Sequence, residues 1–116
     1  MRLPWWLPVG RVPEMKAKDL ERLRQSDPGL QIVDVRTAGE YERGHIPGAT
    51  SLPIQSFQRD YPNLGLDPDR PVAVICRTAH RSVPAVRLLN SKGYDAFQLA
   101  KGMNAWWSAG LPTTNR

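Results

Sequence analysis

The sequence predicts an α/β domain built on a mostly parallel sheet. Two observations lead there. Short apolar runs at 31–35, 72–75 and 96–99, the first two rich in β-branched residues, alternate with stretches that carry helical spacing or helix-capping residues. The chain has 116 residues, of which 41% are apolar and 23% charged, the balance of one compact globule rather than of a disordered chain. A single domain over residues 1–116 is therefore expected, with an extended segment at 1–10 and a core from about 11 to 112. No internal repeat, low-complexity tract or linker interrupts it.

Residues 1–13 place Pro4, Pro8 and Pro13 around Trp5, Trp6 and Leu7. Prolines this close disfavour a helix, and the apolar run is too short and broken for a signal peptide. The segment should lie extended across the domain with the Trp pair over the edge of the core; a partner-docking patch is the competing reading. Residues 15–25 have the spacing of an amphipathic helix with Met15, Leu20 and Leu23 inward, ended by the turn Asp27-Pro28-Gly29.

Residues 31–35 read as a buried strand. Thr37 and Glu40 then stand at capping-box spacing for a short helix to Arg43, with Gly44 as its stop. His45-Ile46-Pro47-Gly48 turns the chain into another extended piece at 49–52, and His45 beside that turn reads as structural. A helical turn or two is expected within 54–64, and Asp67-Pro68-Asp69-Arg70-Pro71 is a clear turn.

Residues 72–75 form the most apolar strand and deliver Cys76 at its C-terminal end. Ser82 is expected to cap a helix running to Lys92, with Pro84 tolerated in the first turn and Gly93 at the stop. A strand at 96–99 and a last helix at 102–109, with Trp106 and Trp107 near its end, complete the series.

Charge narrows the function. Sixteen Lys and Arg oppose eleven Asp and Glu, a net charge of +5. From Arg70 to Tyr94 the chain carries Arg70, Arg77, Arg81, Arg87 and Lys92 and no acid, so the remainder is neutral, eleven against eleven. A solvated helix face explains Arg87 and Lys92; it explains Arg77 and Arg81 less well, because they bracket a short turn beside the only thiol. One cysteine excludes an intrachain disulfide framework, and with two well-separated histidines it gives no basis for a structural zinc site. No metal or other cofactor is expected. No apolar run approaches the roughly 20 residues of a membrane-spanning helix. The compact basic excess, without aromatic-basic interleaving, does not point to nucleic acid.

In open parallel sheets, ligands bind beyond the carboxyl ends of the strands. Cys76 occupies such an end, followed by Arg77-Thr78-Ala79-His80-Arg81 and a helix start at Ser82. A five-residue loop bending from strand into helix tends to turn successive N–H groups inward, an anion cradle with the sulfur at its floor. That field, with Arg77 and Arg81, should favour thiolate over thiol, where a free cysteine titrates near ~8.5. The thiolate is the nucleophile. Taken alone, a cysteine closing an apolar strand is more often an inert small hydrophobe; the cations and the helix start behind it reverse that reading. His80 is balanced between proton donor, anion contact and solvated surface residue.

The run Cys76-Arg77-Thr78-Ala79-His80-Arg81-Ser82 resembles the active-site loop of rhodanese-type sulfurtransferases. The likeness continues in Ile32-Val33-Asp34-Val35-Arg36, in Glu40-Tyr41 with Gly44-His45-Ile46-Pro47-Gly48-Ala49, and in Gly102-Met103-Asn104-Ala105-Trp106 with Gly110-Leu111-Pro112. It implies a rhodanese-like three-layer domain with a five-stranded, mostly parallel sheet between helices. It also implies a two-step reaction: Cys76 takes the outer sulfur of a small anionic donor such as thiosulfate, releasing sulfite, and the persulfide passes to cyanide, a thiol or a sulfur-carrier protein. The amides from Arg77 to Ser82 would stabilise the persulfide, while Arg77 and Arg81 attract the donor. Asp34 and Arg36 match the family's strand-end pair, and Asp34 is expected to support the loop through Arg81. Two positions depart from the family pattern. Ala79 stands where many members have Gly, which would strain a left-handed backbone, and Lys101 stands where Gly is frequent.

Two rivals compete. A phosphatase or arsenate reductase of this fold places its arginine six positions after the cysteine, whereas Arg81 follows Cys76 by five, a cradle better sized for sulfur. A catalytically silent binding or regulatory module commonly loses the cysteine, which this chain keeps. A reactive thiol with no resolving partner fits a reducing compartment, hence a cytoplasmic location.

Overall fold

The computed structural model describes residues 5–8 and 10–116. Five strands form one sheet: β1 Glu14–Met15, β2 Gln31–Asp34, β3 Thr50–Ser51, β4 Pro71–Ile75 and β5 Asp95–Leu99. Their order is β1-β5-β4-β2-β3 and every pairing is parallel. Five helices flank the sheet: α1 Ala17–Ser26, α2 Ala38–Arg43, α3 Ile54–Asp60, α4 Ser82–Ser91 and α5 Gly102–Ser108. A 3-10 turn, Tyr61–Leu64, extends α3.

A two-residue alternation in β4 divides the core. Ala73 and Ile75 pack with Leu20, Met103 and Trp106 on the α1/α5 face. Val72, Val74 and Cys76 pack with Phe57, Ala85, Val86 and Leu89 on the α3/α4 face. Both faces are covered, which is why β4 reads as a continuous apolar run. The same alternation puts the Cys76 side chain on the side from which α4 approaches.

The topology also selects the ligand crevice. The chain leaves β2 for β3 on one side of the sheet and leaves β4 for β5 on the other, so the connections diverge between β2 and β4. That is the switch point at which a parallel sheet opens a cleft. The register Asp34↔Ile75 sets Arg36 and Cys76 just beyond it.

Several boundaries differ from the sequence reading. Met15 is not in the first helix; it ends β1, and β1 pairs with β5 while Met15 still packs on the core. Residues 54–64 hold more helix than a turn or two, because Phe57 is fully buried and ties α3 to the α4 face. The expected Ser82 cap is absent. Arg81 is the N-cap residue, with helical backbone and no side-chain cap, and Ser82 opens α4 with its hydroxyl donating to Gln98 Oε1 at 2.7 Å. Burial beside β5 gives that hydroxyl a better acceptor than the exposed end of the helix. By contrast both halves of the capping box form: the Thr37 hydroxyl accepts from the Glu40 N–H and the Glu40 carboxylate accepts from the Thr37 N–H.

The N-terminal segment runs without helix over its described part. Trp5 packs on the edge of the α3/α4 core, whereas Trp6 is 56% exposed, so one indole of the pair covers core and the other does not. Residues 1–4 and 9 lie outside the described residues. Arg87 is no mere coat on α4: its guanidinium donates to the carbonyls of Trp5 and Leu7, both at 2.7 Å.

Candidate active site

Cys76 follows the last residue of β4 and is 1% exposed. Its own carbonyl is taken by α5: the Met103 N–H donates to Cys76 O at 2.8 Å and the Asn104 N–H to Arg77 O at 3.1 Å. Ordinarily the first N–H groups of a helix are left to solvent or a cap. Here they hold the strand-to-loop corner. The approach requires Gly102, where a Cβ would fall 2.4 Å from Cys76 O and 2.5 Å from Arg77 C and O. Gly102 has φ +61° and Lys101 before it φ +60°, so two successive left-handed residues swing α5 onto the loop.

The loop turns at Ala79, whose φ is +66°. The departure from Gly therefore falls on a position that does require left-handed backbone, and Ala79 carries strain there. Lys101 is the second such departure and has the same consequence. Thr78 Oγ1 and His80 Nδ1 lie 2.9 Å apart, which orients an otherwise exposed His80. No backbone N–H from Arg77 to Arg81 donates to another described residue. Arg77 is exposed and has no ion-pair partner among the described residues. Ser82 is buried and committed to Gln98, so its hydroxyl does not face a ligand.

Arg81 does not pair with Asp34. Its guanidinium meets the Glu40 carboxylate in a two-pronged pair at 2.6 and 3.0 Å. That hydrogen bonding is the main reason Arg81 is held above its ordinary range, with the charge of the Cys76 sulfur adding to it. In return Glu40 falls from its usual 4.5 to about 2, through Arg81 first and the Thr37 N–H next. One carboxylate thus caps α2 and holds the arginine that leans on the cysteine. Sequence reasoning identified Glu40 as a cap and missed this second role, because the capping spacing already accounted for it.

Asp34 has another partner. It forms a buried ion pair with Arg36, whose Nε lies 3.0 and 3.1 Å from the two oxygens and whose Nη2 lies 2.7 Å from Oδ2. Arg36 also donates to Gly44 O at 2.8 Å, tying the end of β2 to the end of α2. The pair supports the floor of the crevice without touching Arg81. Trp107, 44% exposed, has its ring centroid 5.9 Å from the Arg36 guanidinium carbon and closes that side. His45 is structural in the sense expected: buried, stacked on Tyr41 at 3.6 Å, with Nδ1 2.7 Å from Tyr41 O and Nε2 2.9 Å from Arg116 O.

Cys76 is thus a buried cysteine at the sheet's switch point, followed by a short loop whose amides find no acceptor among the described residues. Residues 16–109 match the rhodanese-like domain, and the chain belongs to that family. A rhodanese-related protein of Thermoplasma volcanium superposes with a TM-score of 0.81 at 26% identity, over 90% of this chain and 100% of that one. A sulfurtransferase of Allochromatium vinosum is 31% identical over 102 residues, 87% of this chain and 94% of that protein. An HTH-type transcriptional regulator of Mycobacterium tuberculosis is 37% identical over 103 residues, 86% of this chain but 45% of the regulator. The chain spans about half the length, or less, of several curated relatives. Among the described residues no helix is long and apolar enough to cross a membrane.

Two outcomes follow from this geometry. Ala79→Gly relieves a left-handed alanine and should stabilise the fold by about 0.5–1 kcal/mol in urea denaturation, after the entropy cost of glycine is subtracted. Glu40 has a depressed pKa, so the stability it contributes is whole above its ordinary value and is lost as pH falls toward 2. Denaturation midpoints measured from about pH 5 to about pH 2.5 should therefore fall less steeply in Glu40→Gln than in the parent.

Proposed function

We propose that the protein is a sulfurtransferase that carries sulfane sulfur as a persulfide on Cys76. The observation that supports this best is the set of amides from Arg77 to Arg81 without acceptors, gathered in the loop that follows the buried sulfur. The donor is a small sulfur oxyanion such as thiosulfate. The Cys76 thiolate attacks its outer sulfur, an S–S bond forms, the donor's own S–S bond breaks, and sulfite leaves with the electron pair. The loop amides hold the charge of the resulting persulfide, as oxyanion-hole donors do. Arg77, unpaired and exposed, meets the incoming anion; Arg81, committed to Glu40, fixes the far wall of the cradle. An external nucleophile (cyanide, a thiol or a sulfur-carrier protein) then removes the sulfur. These 116 residues hold no second cysteine that could resolve the persulfide. A thiol that must stay reduced suits a reducing compartment such as the cytoplasm.

The relative named as a transcriptional regulator supports a second reading, a rhodanese-like module that reports sulfur state to another domain. Both readings need Cys76 to load, and only the first needs it to turn over.

The test is intact mass spectrometry after incubation with thiosulfate. One sulfur atom should add to the parent and none to Cys76→Ala, with thiosulfate:cyanide turnover in the parent alone. No added sulfur on the parent, or Cys76-dependent hydrolysis of an aryl phosphate, would overturn the assignment. Loading without turnover would favour the regulatory module.

A further inference from the structure

The N-terminal segment is not part of the family match, which begins at residue 16, yet it forms one wall of a groove beside the cysteine loop. Its lining is mostly apolar, with Trp5, Trp6, Pro8, Ile54 and Pro84, and its polar members are Gln55, His80 and Arg81. The cavity is about 570 Å³, within the range of roughly 300–1,000 Å³ typical of small-molecule sites.

The wall is held in place. Arg87 grips the carbonyls of Trp5 and Leu7, on either side of Trp6, and Trp5 is packed on the core. The Trp6 backbone is therefore anchored while 56% of the residue stays exposed. An exposed indole on an anchored backbone, beside the loop that follows Cys76, is apolar surface that a ligand can cover.

We propose that this groove is the acceptor subsite and that it takes a small organic thiol with an aromatic or aliphatic body. The inference rests on the sulfur transfer proposed above. Charge and polarity select this occupant. Its reacting end must be an anionic sulfur, which matches His80 and Arg81; its remainder lies among Trp6, Ile54 and Pro84, where Gln55 adds a single amide to an otherwise apolar lining. The thiolate attacks the outer sulfur of the Cys76 persulfide and a new S–S bond forms on the thiol. The bond to Cys76 Sγ breaks, and its electron pair returns Cys76 to the thiolate. Two negative charges enter and two leave, and no oxidant or reductant is needed.

The test loads the protein with thiosulfate, confirms the added sulfur by mass, and follows its loss to 2-phenylethanethiol, to 2-mercaptoethanol and to cyanide. Trp6→Ala should lower the ratio of the phenylethanethiol rate to the cyanide rate by about tenfold, the loss of one aromatic contact with its buried area. Trp6→Phe should recover most of it, and the mercaptoethanol ratio should move little. An unchanged phenylethanethiol ratio in Trp6→Ala, or an equal fall for mercaptoethanol, would overturn the subsite and leave the transfer reading intact. Failure of the parent to load would remove both.

Discussion

The close approach of α5 to the corner after β4 is the constraint on which the site depends. Two N–H groups at the start of α5 hold the carbonyls of Cys76 and Arg77, and the contact exists only because residue 102 has no Cβ. With those carbonyls turned toward α5, the loop proceeds through a left-handed Ala79 and enters α4 without donating its own amides to any described residue. The backbone cost is concentrated at Ala79 and Lys101, two non-glycine residues with positive φ, and it lies beside the proposed chemistry, where stored strain is commonly found.

Around that corner the charges sort into three uses. Asp34 and Arg36 neutralise each other in the interior; removing either would leave a buried charge unpaired, a loss on the order of 3–5 kcal/mol. Glu40 and Arg81 form a half-buried brace between α2 and the loop. Arg77 remains exposed. The net charge of +5 is thus spent unevenly: Arg87 latches the N-terminal segment, Arg81 is held by an acid from outside its own basic stretch, and Arg77 has no ion-pair partner among the described residues.

Most of the architecture was legible because it rests on local rules. β-branched runs marked β2 and β4, Thr37 and Glu40 marked α2 with both cap bonds, and Cys76 stood at a strand end that a parallel sheet turns into a binding edge. What was hidden depends on contacts between distant segments. Ser82 has the chemistry of a cap but is buried against Gln98, sixteen residues away. Arg81 chose Glu40 over Asp34 because Asp34 is already saturated by Arg36 two residues on. Met15 belongs to a strand only because β5 offers it an edge. Arg87 had the spacing of a solvated residue, and its role appears only when the Trp5–Leu7 backbone is laid along α4.

The most direct measurement of the central claim is the rate of sulfur loading on Cys76 in Gly102→Ala, in protein shown by cooperative denaturation to remain folded. A Cβ at residue 102 must displace the Cys76 and Arg77 carbonyls. A shift of about 1 Å in reacting groups costs about 100-fold, so loading from thiosulfate should fall by at least that much while Cys76 itself is untouched. A folded Gly102→Ala protein that loads at the parent rate would show that the clamp does not govern the chemistry, and would contradict this account.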